Sequence, residues 1–373
     1  MAWTYRGTIA GVIASLLVAG VAPAPAQTGA DWPMFRGKAQ NTGVAHSPLA
    51  DTLSLRWTYE TGSSVESTAA IVDDTVYVGT MTGALVAIDL ASGSFKWKYL
   101  TGGDAISASP LVHGSTVYVG DEGGTFHAVR ATNGHERWTF ETDGKIMSSA
   151  IWVADSVLFG SYDNNLYRVR ASDGKEIWHF TAEAQVHCPP TEAGGVVIIA
   201  GCDGFLRMID LATGREKRSA LLGGNFSAAP AYGSGGVYVG SMDGRYWGVR
   251  LSDAEILWER QEDSRSSALY AAPAVIGDAV TFASRSNDVF RVDRTTGEVQ
   301  WTFATRSDVN SSPVVNRDHV IFGSSDGNVY RVRLSDGTKV WSYSTGGPIS
   351  ASPAVGQRRL VIGNESGVVY CFG

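Results

Sequence analysis

"GNVYRVRLSDGTKVW" (residues 327–341) says again, with few changes, what "NNLYRVRASDGKEIW" (residues 164–178) has already said. Both phrases end on tryptophan, and the tryptophans set a frame. They fall at Trp57, Trp97, Trp138, Trp178, Trp258, Trp301 and Trp341, with successive gaps of 40, 41, 40, 80, 43 and 40 residues. The gap of 80 is two periods, with Arg218 in the tryptophan's place, so the frame has eight positions. A fixed period of this length marks a propeller or a solenoid.

Two further landmarks keep step with the tryptophans. A Gly or Asn follows each marker: Gly83, Gly124, Asn164, Gly204, Gly244, Asn287, Gly327 and Gly367. So does a Pro or Ala: Ala69, Pro110, Ala150, Pro190, Pro230, Pro273, Pro313 and Pro353. Each unit holds four short apolar stretches, in the first full copy near residues 65–72, 76–80, 85–90 and 95–100. Between the last two stretches come Ser92-Gly93, Asn133-Gly134, Asp173-Gly174, Thr213-Gly214, Thr296-Gly297 and Asp336-Gly337. Glycine suits a tight hairpin because it accepts positive φ without a Cβ clash. Asp253-Ala254 breaks this pattern, and a different turn is expected there.

Strands such as "VYVG" and "VVIIAG" are apolar on both faces, as expected when sheets pack radially and bury both sides. The first stretch of each unit is rich in small residues, "SASP" and "SAAP" among them, which fits the narrow hub of a ring. The last unit lacks its tryptophan strand, while "LSLRWTYE" (residues 53–60) is a strand to spare. The expected fold is therefore all-β: an eight-bladed β-propeller of four-stranded antiparallel blades, the last blade closed by the N-terminal strand. Each tryptophan is read as covering a neighbouring blade, a structural docking role. Arg218 should leave a looser contact, and is also a candidate partner contact.

Composition limits the function. With 44 glycines and 44% apolar residues spread evenly, the chain reads as strands and tight turns rather than disorder. A net charge of −7 without any basic run argues against nucleic acid as a partner. Residues 1–26 read as a cleavable export signal, with Arg6, an apolar run over 8–22 and small residues at 24–26. That run is short for a membrane span and is followed at once by Pro23. No cysteine near the cleavage region offers lipid attachment. The expected organisation is a signal at 1–26, a lead-in at 27–52 and a propeller at 53–373, in a monomeric periplasmic or secreted protein. Cys188, Cys202 and Cys371 fit neither a disulfide framework nor a zinc pattern; a Cys188–Cys202 bridge and separate buried thiols both remain open.

The repeat resembles that of the pyrrolo-quinoline quinone (PQQ)-like β-propeller family, whose tryptophan-docking motif reads Ala-x-Asp-x-x-Thr-Gly-x-x-x-Trp. Ala87, Asp89, Gly93 and Trp97 match it, as do Asp293, Thr296, Gly297 and Trp301. Asp210, Thr213 and Gly214 match where the tryptophan is lost, and "DWPMFRG" (residues 31–37) is similar to the lead-in of exported members. In size and blade count the chain is similar to the propeller lipoprotein of the outer-membrane β-barrel assembly machinery. The resemblance implies a non-enzymatic scaffold with a protein partner. Its alternative is a PQQ- and calcium-dependent dehydrogenase, or a small-ligand binder using the channel mouth. Family dehydrogenases place the quinone against a disulfide of adjacent cysteines, which this chain lacks, so no cofactor is expected.

Motifs for acyl transfer, zinc proteolysis or nucleotide binding are missing, and His113, His127, His135 and His319 occupy ordinary strand or turn positions. One constellation stands out. The position opening each inner stretch holds Glu66, Ser107, Met147, His187, Ser227, Tyr270, Asn310 and Ser350. The residue before it is apolar in every copy, so a varied position sits beside a uniform anchor. Glu66, Met147, His187, Tyr270 and Asn310 are thus candidates for a ligand site at the channel mouth. The insertion "QEDSRSSALY" (residues 261–270) adds Glu262, Asp263 and Arg265 as candidate partner contacts on a loop.

Overall fold

A computed structural model describes residues 1–4, 30–262 and 267–373. Of the export-signal reading at 1–26, residues 5–26 fall outside them, as do Asp263 and Arg265. Every regular element among the described residues is a strand, and these strands form eight sheets. No described helix is long and apolar enough to cross a membrane.

Blade 1 shows the unit: Ala70–Val72, Thr75–Gly79, Ala84–Asp89 and Phe95–Leu100, antiparallel in sequence order from hub to rim. Blades 2 to 7 repeat it, beginning at Leu111, Ile151, Thr191, Ala231, Ala274 and Val314. In blade 8, Ala354–Gly356, Arg359–Gly363 and Val368–Phe372 take Leu55–Glu60 as the outer strand. Trp57 pairs with Cys371 and Thr58 with Tyr370, so the expected closure of the ring is present.

The inner strands are shorter than the apolar pattern implies. Residues 65–69 stop short of the ladder because side chains replace it. Ser67 Oγ both accepts from the Gly79 N–H at 2.9 Å and donates to the Gly79 carbonyl at 3.1 Å. Ser311 accepts from Gly323 N–H in the same way at 3.0 Å. The small residues of the hub thus supply hydrogen bonds as well as room.

Adjacent blades are held at the rim by the tryptophans. Trp97 Nε1 donates to the Ala131 carbonyl at 2.9 Å, in the hairpin turn of the next blade. Trp57, Trp138, Trp178, Trp258, Trp301 and Trp341 make the same bond to Leu90, Ala171, Leu211, Arg294, Leu334 and Leu53. The turn glycine lies flat on the indole. A Cβ at Gly134, whose φ is +70°, would come within 2.5 Å of the Trp97 ring. Positive φ and close approach therefore both demand glycine there. The turn at Ala254 is not different, contrary to the sequence reading. Ala254 takes φ 63° and donates to the Arg250 carbonyl at 2.9 Å, as Gly134 does to Arg130 at 2.8 Å. Its Cβ is tolerated because the facing residue is Arg218 rather than an indole.

At the hub each apolar anchor is fully buried, and all but Phe226 donate a main-chain N–H that ties the blade to the one before. Ile106 N–H donates to the Thr80 carbonyl at 3.0 Å, and Ile146 N–H to Asp121 at 2.9 Å. Gly79 gives Ile106 its space, since a Cβ would lie 2.3 Å from the Ile106 side chain.

The segment 30–45 crosses beneath the hub. Main-chain N–H groups of Ile71, Val112, Glu192, Tyr232, Val275 and Val315, each in an inner strand, donate to the carbonyls of Trp32, Pro33, Ala39, Gln40, Thr42 and Gly43. Val44–Ala45 adds a parallel fifth strand beside Val314–Asn316. Edge groups that would otherwise face the channel are thereby paired. Asn41, fully buried, donates through Nδ2 to the Pro190 carbonyl and to Thr191 Oγ1 at 2.9 and 2.7 Å. Arg36 is buried too and donates through Nη2 to the Pro273 carbonyl at 2.8 Å. Burial pushes its guanidinium down to about 9, so it stays protonated at neutral pH.

Candidate functional site

Strand alternation gives the ring two faces. Turns joining first to second and third to fourth strands lie on the face beneath which residues 30–45 run. Turns joining second to third strands, and the crossovers between blades, surround the open mouth of the channel.

The varied positions do converge on that mouth. Glu66, Ser107, Met147, His187, Ser227, Tyr270, Asn310 and Ser350 line one funnel of about 220 Å3, floored by Phe35 from the lead-in. Below them runs a second tier whose hydroxyls link blades sideways. Thr68 N–H donates to Ser109 Oγ at 3.0 Å and Ser109 N–H to Ser149 Oγ at 2.9 Å. Across the ring, Ala272 N–H donates to Ser312 Oγ and Ser312 N–H to Ser352 Oγ, both at 2.9 Å. Pro189, Ala229 and Ala272 hold the corresponding places in blades 4, 5 and 6 and have no hydroxyl to offer, so the belt is open there.

Two side-chain groups are fixed on the funnel wall. His187 meets Tyr162 OH through Nδ1 at 2.6 Å and Ser227 Oγ through Nε2 at 3.1 Å. Burial lowers its pKa below the usual value of 6.5, so the ring is neutral at pH 7. Arg285 lies 3.9 Å over the Tyr270 ring and donates through Nε to Asn310 Oδ1 at 2.9 Å. Glu66 stands apart, accepting from Ser64 Oγ at 3.3 Å. Desolvation, with Glu365 and Glu122 adding to it, raises its pKa. The funnel therefore presents one carboxylate, one cation–π pair, a neutral imidazole and several hydroxyls. It can offer hydrogen bonds to a small polar group. Tyr162 and Arg285 escaped the sequence reading because they come from turns of the neighbouring sheet rather than from the inner stretch.

The remaining candidates separate. Glu262 is on the mouth face, where Ser286 Oγ donates to its Oε2 at 3.1 Å. Arg218 is on the opposite face, its Nη1 donating to the carbonyls of Leu251 and Ser252. They do not form one surface. The mouth face also carries exposed apolar residues that the sequence reading missed: Leu221 is 64% and Met242 38% exposed. Met242 N–H donates to the Asn225 carbonyl at 2.9 Å, which joins the crossover after Leu221 to the turn carrying Met242.

Two of the histidines set aside above are held by packing and hydrogen bonds within the blades. His127 is buried, with Nε2 2.8 Å from Asp121 Oδ2 and Nδ1 3.0 Å from Tyr99 OH. His113 stacks on Trp152 with ring centroids 3.7 Å apart. All three cysteines are free, Cys188 and Cys371 buried and Cys202 partly exposed.

Comparison with known proteins supplies the family. The sequence profile of the outer membrane protein assembly factor BamB family matches residues 49–179, 143–343 and 264–372. No curated protein sequence matches the chain. Among solved structures, BamB from Moraxella catarrhalis superposes with a TM-score of 0.74 at 20% identity, covering 86% of this chain and 97% of its own. Quinohemoprotein alcohol dehydrogenase from Comamonas testosteroni gives 0.80 at 14% identity, with 94% and 81% covered. A europium-containing methanol dehydrogenase gives 0.79 at 11%, with 93% and 98% covered. At these identities the structural likenesses speak for the fold alone. The funnel is small for a quinone. Its volume of about 220 Å3 lies below the roughly 300–1,000 Å3 usual for such ligands. Among the described residues no group of three His, Cys, Asp or Glu side chains is placed to hold a metal ion.

Proposed function

Because the chain belongs to the family of the outer membrane protein assembly factor BamB, we propose that it is a non-enzymatic, exported interaction scaffold serving outer-membrane protein assembly. The observation that carries this reading is the family match, which runs through all eight blades from residue 49 to residue 372. The mouth face supports it. Leu221 and Met242 are apolar side chains held open to solvent on two adjoining blades, a small apolar feature that a protein partner would cover. Glu262, one blade further round, supplies a charged flank to the same surface.

The test is affinity capture of the tagged chain from the cell envelope after brief cross-linking, with Leu221→Asp/Met242→Asp as the paired variant. Recovery of a component that assembles outer-membrane barrels, lost in the variant at unchanged melting temperature, is the expected result. Capture of no such component, or capture indifferent to both substitutions, overturns the proposal.

A second reading places a small polar ligand in the funnel, supported by the fixed Tyr162–His187–Ser227 and Arg285–Tyr270–Asn310 groups. Calorimetry with PQQ and calcium against wild type, Glu66→Gln and His187→Gln tests it. Binding by wild type that weakens in both variants supports it; absence of heat in wild type removes PQQ as the ligand.

A further inference from the structure

One junction is held by a chain of titratable side chains where its sisters use ring packing. Between blades 2 and 3 the Phe140 ring meets Tyr167 with centroids 5.3 Å apart, and between blades 6 and 7 Phe303 meets Tyr330 at 5.4 Å. Between blades 1 and 2 the two places hold Tyr99 and His127, also at 5.4 Å. His127 Nε2 lies 2.8 Å from Asp121 Oδ2 and its Nδ1 lies 3.0 Å from Tyr99 OH. Tyr99 OH in turn donates to Glu136 Oε2 at 2.8 Å. Asp121 and His127 are buried, while Glu136 is exposed on the outer strand of blade 2. The chain thus runs from a buried turn, through an outer-strand side chain of blade 1, to the rim.

Protons can be counted along it. Three hydrogen bonds need three protons, one in each gap. With both carboxylates ionised, a neutral imidazole and a phenol supply two. If Nδ1 carries the imidazole proton, a bare Nε2 faces the Asp121 carboxylate. If Nε2 carries it, the single hydroxyl proton of Tyr99 must serve either Nδ1 or Glu136. A third proton removes the conflict. It belongs on the imidazole, since Asp121 accepts through Oδ1 from the N–H groups of Gly123 and Thr125 at 3.0 and 2.8 Å, as a carboxylate does.

The surroundings favour that proton. Glu141 stands on the same face of blade 2 as His127 and accepts from Thr125 Oγ1 at 2.9 Å. Asp104, from the crossover out of blade 1, lies against the turn at Gly123. Among the described residues, Asp104, Asp121, Glu136 and Glu141 have no Arg or Lys partner. Lys145 is held by Glu122 at 2.9 Å, and Arg137 is turned to Ser115 Oγ at 2.7 Å.

We propose that this chain is a proton-operated latch between blades 1 and 2. With the third proton on His127, the four side chains are joined and the two outer strands are tied. When that proton passes to solvent, the Tyr99 hydroxyl turns to Nδ1 and Glu136 is released. The break falls there because Glu136 is the exposed end, where water takes over, whereas Asp121 is buried and would lose its only side-chain donor. The rim of this junction therefore answers to the acidity of the compartment, whatever the mouth face binds.

Nuclear magnetic resonance of the isotope-labelled full chain, titrated between about pH 5 and 9, tests the latch. Protons on both ring nitrogens of His127 are expected at the acid end, with Nδ1 alone losing its proton toward the alkaline end. The side-chain carboxyl carbon of Glu136 should shift with the same midpoint. Glu136→Ala removes the competitor for the Tyr99 proton and should weaken proton binding by His127 about tenfold, a fall of about one pH unit in the midpoint. Tyr99→Phe installs the residue found at the sister junctions and should lower the midpoint at least as far. A single ring N–H on His127 throughout the range overturns the proposal. So does a midpoint that neither variant moves, which is how a merely packed histidine would behave. If Glu136→Ala does not fold, an unmoved midpoint in Tyr99→Phe overturns it alone.

Discussion

Arg56 Nε donates to the carbonyl of Gly373 at 2.9 Å, joining residues 317 positions apart in the chain. Beside that bond Trp57 pairs with Cys371 and donates from Nε1 to the Leu90 carbonyl in blade 1. The closing blade is thus built like the rest. Trp57→Ala should cost about 3–5 kcal/mol in chemical denaturation, as should Trp97→Ala at an internal junction. Deletion of residues 368–373 should abolish cooperative unfolding altogether. A loss at Trp57 far smaller than at Trp97 would show that the ring does not depend on its closure.

Ala254 holds a left-handed backbone that L-residues disfavour by about 1–2 kcal/mol, and it is the one turn of its kind without glycine. Ala254→Gly should stabilise the protein by about 1 kcal/mol. Gly134→Ala, in the same conformation but against the Trp97 ring, should destabilise it by at least about 2 kcal/mol. Paired urea melts read both; equal effects would mean the indole contact is unimportant.

Much of this architecture can be read from residues because each blade solves the same packing problem. Trp97 and Gly134 recur as partners, Ile106 and Gly79 recur as partners, and a recurring partnership leaves a period. The funnel was legible for the opposite reason: His187 and Tyr270 vary beside anchors, Val186 and Leu269, that do not. What has no period stayed hidden. Arg36, Asn41 and their neighbours bond to residues far away in sequence, one by one, and nothing local announces it. The turn at Ala254 was misjudged because its φ depends on what faces it across the junction, Arg218. Glu262 and Arg218 were each offered as partner contacts for separate reasons, and strand direction sends them to opposite faces.

The three thiols should differ in reactivity. Burial raises Cys188 well above the usual thiol value and Cys371 to about 12, while Cys202 is raised but partly exposed. A disulfide reagent such as Ellman's should modify Cys202 first and slowly in the folded protein, and all three after denaturation. Cys202→Ser should remove the native reaction; rapid modification of two thiols in the folded state would contradict the burial of Cys188 and Cys371.

Acid should act partly through His187. Its pKa in the fold is held below the unfolded value by burial. A base depressed in this way contributes stability that is fully present above its unfolded pKa of about 6.5 and is lost as pH falls through the folded pKa. His187→Gln should therefore flatten the decline of unfolding free energy below pH 6.5. Curves of identical slope for the two proteins would remove His187 from the account.

The strap beneath the hub also bears on when the protein can become itself. Asp31 Oδ1 accepts from Gln357 Nε2 across 326 residues, and Asn316 Nδ2 donates to the Ala45 carbonyl across 271. Residues synthesised near the start must wait for inner strands made near the finish before their donors and acceptors are met. Such late, long-range pairing makes for slow folding and long exposure of sticky intermediates. A chain wired this way has no finished hub until its last blade exists.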